Sequence, residues 1–326
     1  MFGHRPDGKV VKHLNGFYNI IPILMKTRND SMNWMYFDLD LEPVKAFIKE
    51  EQARSGKIYS YFDILLATVV RTIALRPELN RFVVNKRIYQ RNHIAFSLAL
   101  QKSLKRGIAS DESTIKAKFD GTENLDEIID RVDALIADAK KEKAVTKTDK
   151  IVDRVMHGPH FFKVFLVNTL MWLDKHGLLP MSVLDMIPFH TTFFITDMKS
   201  IKLPPLHHHL YNFGTTGLFL STSVEEKKIY FDEKTGEFKQ KDIMRIAFVS
   251  DERFCDGYYF SVSSRLLSKI WANPGVLLKK LTKEDLPLDT DTLWKKNHEA
   301  EKAKAKEEKL AKKKAKKNKE NQEKSE

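Results

Sequence analysis

The stretch 243–267, IMRIAFVSDERFCDGYYFSVSSRLL, constrains the fold more than any other part of the chain. Its apolar run, Ile246-Ala247-Phe248-Val249, reads as a buried strand. The strand runs into a short charged turn, Asp251-Glu252-Arg253-Phe254-Cys255-Asp256-Gly257. Apolar residues at helical spacing follow and predict an amphipathic helix.

This turn resembles the D-H-R-x-x-D-G signature of the 2-oxo acid dehydrogenase acyltransferases. It also resembles the H-H-x-x-x-D-G signature of chloramphenicol acetyltransferase. Asp251, Arg253, Asp256 and Gly257 match the pattern, and Glu252 stands where the family carries its catalytic histidine. A second, distant match supports the first. A strand at 33–41, helices at 42–56 and 59–75, an Arg-Pro-Glu-Leu-Asn segment and strands at 82–89 and 93–100 follow one another as in chloramphenicol acetyltransferase. The resemblance covers roughly residues 15–282. It implies an α/β fold, a two-layer sandwich of chloramphenicol acetyltransferase type with a mixed β-sheet and packed helices.

The resemblance also implies a chemistry. An acyl group moves between a coenzyme A thioester and a thiol or hydroxyl acceptor, with coenzyme A or acyl-CoA as substrate and no metal. The family histidine is the general base, and a serine hydroxyl on another strand donates to the oxyanion. Thr196, closing the strand 191–196, aligns with that serine. Asp256 is expected to make buried contacts that fix the loop, Gly257 to permit the turn, and Arg253 to bond inside the loop. An ordinary Glu is a weak base for a thiol, because its pKa lies about four units lower.

Three readings of Glu252 therefore stand side by side. It is a buried base with a raised pKa; or a loop histidine, His208 foremost among His207–His209, does the work; or the chain keeps a coenzyme A or acyl-ligand pocket, or only a scaffold role, without chemistry. The histidine run also reads as packed imidazoles in a polar loop. It lacks the i, i+4 spacing and nearby carboxylate or Cys pattern of a zinc site. No dinucleotide or phosphate-loop glycine motif occurs.

The family assembles as a trimer with its site between subunits. A homotrimer is therefore expected, with Glu252 and Thr196 meeting across an interface. The multi-enzyme relatives carry lipoyl domains on Ala/Pro-rich linkers. No such segment is seen, so a stand-alone protein with a small-molecule acceptor is expected.

Composition sets the remaining expectations. Cys255 is the single cysteine, and no apolar run of 18 residues or secretory leader is visible. These features point to the cytoplasm. The net charge is +12, and residues 295–326 hold 13 Lys and 7 Glu, so the last tenth of the chain carries +6 of it. A domain at 1–290 is expected, followed by a Lys-rich tail at 291–326 that is disordered or a fraying helix, dispensable from about 295. No aromatics interleave its lysines, so nucleic acid is not indicated, and weak contact with anionic surfaces is the alternative to a solubilising role. Residues 150–188 read as a helical insertion, either a layer over the core, a lid on an acyl pocket or a membrane-facing surface.

Overall fold

A computed structural model describes residues 4–101, 112–141, 157 and 159–322. Its centre is a six-stranded sheet in the order β2-β9-β8-β7-β5-β6. The strands are β2 (Met32–Asp40), β5 (Ile94–Gln101), β6 (Glu112–Phe119), β7 (Phe193–Asp197), β8 (Leu218–Asp232) and β9 (Glu237–Asp251). The pairs β5/β7 and β7/β8 are parallel and the others antiparallel, so the sheet is mixed. A small sheet, β1-β4-β3, comprises Gly8–Val10, Arg87–Arg91 and Arg81–Val84.

Alternation along the strands sorts the two faces. Phe96, Phe193, Ile195, Leu218, Leu220, Ile246 and Phe248 join the main core with the helices. That layer holds α2 (Glu42–Ser55), α3 (Tyr61–Leu75), α4 (Leu125–Lys141) and α7 (Gly257–Ala272). Helix α3 is buried along every residue from Ile64 to Ala74, so it needs no polar face. Phe194, Phe219 and Val249 point to the opposite face, where Leu210 covers them. The result is the two-layer sandwich expected.

Several elements depart from the sequence reading. The strand expected over 82–89 is a hairpin, β3 and β4, turning at Asn85 and Lys86 with φ of 48° and 62°. The N-terminal segment forms β1 and an unforeseen helix, α1 (Gly16–Leu24). Strand β8 continues across an irregularity between Thr222 and Glu225. In the insertion, α5 (His160–Lys175) and α6 (Met181–Met186) are helical as expected, whereas 150–156 and 158 lie outside the described residues.

The Lys-rich end is a helix, α8 (Thr290–Gln322). Its first turns dock on the N-terminal segment. Asp291 accepts the backbone N–H groups of Lys12 and His13, at 3.0 and 2.9 Å, and Trp294 stacks on His13 at 3.7 Å. Trp294 also stacks on His298 at 4.7 Å.

Candidate active site

Strand β9 ends in a buried charge cluster. Asp251 is fully buried and accepts from Arg253 Nε at 2.8 Å, Arg253 Nη2 at 2.6 Å and Ser31 Oγ at 3.0 Å. Arg28 approaches the same carboxylate at 3.6 Å. Its two Nη atoms donate to the carbonyls of Tyr211, Val83 and Gly214. Burial pulls the Arg28 guanidinium down to about 10. Two arginines on one buried carboxylate lock the loop to the segment before β2, and breaking such a set strands a charge in the interior.

The lock determines where Glu252 stands. Its backbone N–H donates to Ser31 O at 2.9 Å, and its carboxylate accepts the Asn33 amide at 2.6 Å. Asn33 pairs in register with Ser250. Both line an open cavity of about 390 Å³ against α7, together with Cys255, Gly257, Ser261 and Ser264. Glu252 is only half-buried.

The rest of the motif behaves differently from expectation. Asp256 is exposed and caps α7, accepting from Tyr259 N at 2.6 Å; the buried contacts expected of it belong to Asp251. Gly257 has no positive φ, and a Cβ there meets nothing within 4 Å. The turn therefore does not need glycine for its own backbone. Arg253 bonds inside the loop. Cys255 is buried and its thiol is pushed up by burial, which suits a packed residue and not a nucleophile.

The other two residues lie away from Glu252. Thr196 is paired with Ser221, which in turn faces Ala247, five residues before Glu252. Two strand spacings and five residues along a strand put Thr196 and Glu252 roughly 15–20 Å apart within one chain. The Thr196 hydroxyl has only a long contact, 3.9 Å, to Met198 Sδ. His208 stacks on Phe219 at 4.3 Å, on the sheet face away from the helices, and its Nδ1 lies 2.8 Å from His209 O. Burial lowers its pKa, so the ring is neutral and packed. His207 packs on Tyr36 at 4.1 Å with Nε2 3.0 Å from Met35 O. Among the described residues no three His, Cys, Asp or Glu side chains gather as a metal site would, and no helix is long and apolar enough to cross a membrane.

Sequence reasoning missed Arg28, Ser31 and Asn33. Arg28 sits in the polar stretch Lys26–Asp30, where nothing in the local pattern sets it apart. The one available signal was position: it lies just ahead of a strand that pairs with the motif strand.

No family model matches the sequence, and no curated protein matches it. Solved structures do match. A probable dihydrolipoamide acetyltransferase from Listeria monocytogenes 4b F2365 covers 86% of this chain and 98% of its own, at 14% identity and TM-score 0.51. The cubic core of the pyruvate dehydrogenase multienzyme complex covers 82% and 94%, at 11% identity and TM-score 0.52. The Azotobacter vinelandii dihydrolipoamide acetyltransferase gives 82% and 94%, at 11% identity and TM-score 0.51. The chain has the catalytic-domain fold of these acyltransferases.

Proposed function

We propose that this protein transfers acyl groups between a coenzyme A thioester and a thiol or hydroxyl acceptor, as a homotrimer in the cytoplasm. The observation that carries the reading is the intact lock of Asp251, Arg253 and Arg28, which holds Glu252 beside an open cavity. A loop with no chemical duty has little reason to keep two buried guanidinium groups on one carboxylate. In the Azotobacter enzyme a serine, a histidine and an asparagine have a role in the mechanism. Here Glu252 takes the histidine's place as the group that accepts the acceptor's proton. The hydroxyl donor is Thr196 of a neighbouring subunit, since within one chain the two are far apart and Thr196 holds no strong hydrogen-bond partner.

The trimer reading draws support from an arm. Among the described residues, the ladder from Lys228 in β8 to Lys241 in β9 has no third strand beside it. Ile229, Phe231 and Phe238 on it are 68, 53 and 78% exposed. A lone two-stranded hairpin is marginal in water, so this arm fits a subunit contact.

A second reading, coenzyme A or acyl-ligand binding without transfer, is favoured by one observation: His207 and His208 pack beside β2 and β8, on the sheet face opposite Asn33 and Ser250. The test is thioester cleavage of acetyl-CoA with thiol acceptors, together with calorimetric coenzyme A binding. Turnover that disappears in Glu252→Gln supports transfer; binding without turnover supports the second reading; neither result leaves the scaffold role alone.

A further inference from the structure

A second cavity of about 390 Å³ lies on the far side of the locked loop, between the segment after α1, the β3–β4 turn and the end of α5. Lys26, Lys86, Lys175, Arg28 and Arg253 line it, against one carboxylate, Asp174. Asp174 is already paired with Arg5 at 2.9 Å, and Arg253 with Asp251 at 2.6 Å. Among the described residues none of the three lysines has an ion-pair partner. Arg28 Nε is buried and faces Asp251 at 3.6 Å, and its two Nη atoms are bonded to carbonyls. The charge left over at the cavity is therefore that of the three lysines.

The β3–β4 turn gives an independent sign. Asn85 and Lys86 both hold positive φ, the two-residue turn for which Asn-Gly is the favoured pair. Lys86 occupies the position where glycine would sit without strain. Strain of this kind persists where a side chain has a task. Here that side chain is an ammonium group at the cavity wall.

We infer that this cavity is a binding site for a phosphate monoester carried on a small apolar body. Three ammonium groups without an ion-pair partner match a dianion better than a single carboxylate. Trp172, Met171 and Val84 supply apolar wall for the body. Two sources share this chemistry. One is a soluble phosphomonoester. The other is an anionic phospholipid headgroup, since exposed Phe17, Ile20 and Leu24 of α1 and Phe161 and Phe165 of α5 belong to the two helices that border the cavity.

The full-length protein would be titrated calorimetrically with glycerol 3-phosphate and with inorganic phosphate at fixed ionic strength. It would also be co-sedimented with phosphatidylcholine vesicles with and without phosphatidic acid. The expected result is saturable binding of a phosphate-bearing probe in one arm or both, and the arm that responds identifies the source. Lys86→Gly and Lys175→Gln should each weaken it by about tenfold or more, the loss of one charge-assisted contact. Lys86→Gly should not lower the Tm, because glycine relieves the turn; this separates a binding role from a structural one. The inference is overturned if no phosphate probe binds beyond a chloride control, or if both variants bind as wild type. Vesicle binding that survives both variants but disappears when the chain is cut after His298 would also overturn it, assigning the attraction to the Lys-rich helix.

Discussion

The two ends of β9 follow opposite rules. From Ile243 to Asp251 the strand is flanked by β2 and β8 and buried, and it finishes in a carboxylate held by two arginines and a serine. From Glu237 to Lys241 it has one neighbouring strand among the described residues, and its aromatic residue Phe238 faces solvent. The same backbone geometry serves both. Neighbours make the difference: the first end is specified by the chain's own interior, and the second has no such cover among the described residues. Glu252 stands just past the specified end, so its backbone position is fixed by the lock.

Removing the lock should have the largest effect. Asp251→Ala leaves Arg28 and Arg253 buried without their carboxylate, and should cost about 3–5 kcal/mol in chemical denaturation. A loss below about 1 kcal/mol would show that the two ends of β9 are specified alike.

Acid should weaken the buried side next. Burial lowers His93 to about 4 and His190 to about 2. Unfolded, both titrate near 6.5, so below that pH the unfolded chain binds protons that the folded chain refuses. Their stabilising contribution is whole above about pH 6.5 and falls as pH drops toward 4. Thermal melts across that window should show Tm decreasing with acid, and His190→Gln should flatten the slope. A Tm independent of pH between 4 and 6.5 would contradict the burial of these rings.

The arm should respond in assembly and not in folding. Phe231→Ser with Phe238→Ser should leave the Tm of the isolated chain nearly unchanged while shifting light scattering from trimer to monomer. A large loss of monomer stability with unchanged mass would place the two rings in the chain's own core.

The smallest effects belong to the C-terminal helix. Ending the chain at His298 should leave the Tm within error, since the side chains from Glu299 to Ala311 are exposed. Ending it at Asp289 removes the Asp291 contacts and the Trp294 stack on His13, and should cost about 1–2 kcal/mol.

The same contrast explains what was legible in the sequence. The strand, turn and helix at 246–267 could be read because an apolar run, a capping Asp256 and helical spacing are all local signals. The order of elements around it could be read for the same reason. Arg28 and Asn33 could not, because their meaning comes from the β2–β9 pairing across some 220 residues. The Asn85–Lys86 turn was missed because lysine replaces the glycine that normally marks it. α1 was missed because Pro22 interrupts a segment that is apolar on most sides. Gly257 was over-read: its backbone asks for nothing special, so Gly257→Ala should change stability by less than about 0.5 kcal/mol.

The central claim is that the locked loop holds Glu252 for acyl transfer. The most direct measurement compares Glu252→Gln with wild type in acetyl-CoA thioester cleavage, with Tm and oligomeric mass recorded on the same samples. The account predicts lost turnover with Tm, mass and coenzyme A affinity unchanged, because Gln keeps the shape and the Asn33 contact but accepts no proton. A Gln variant that turns over at the wild-type rate would contradict it.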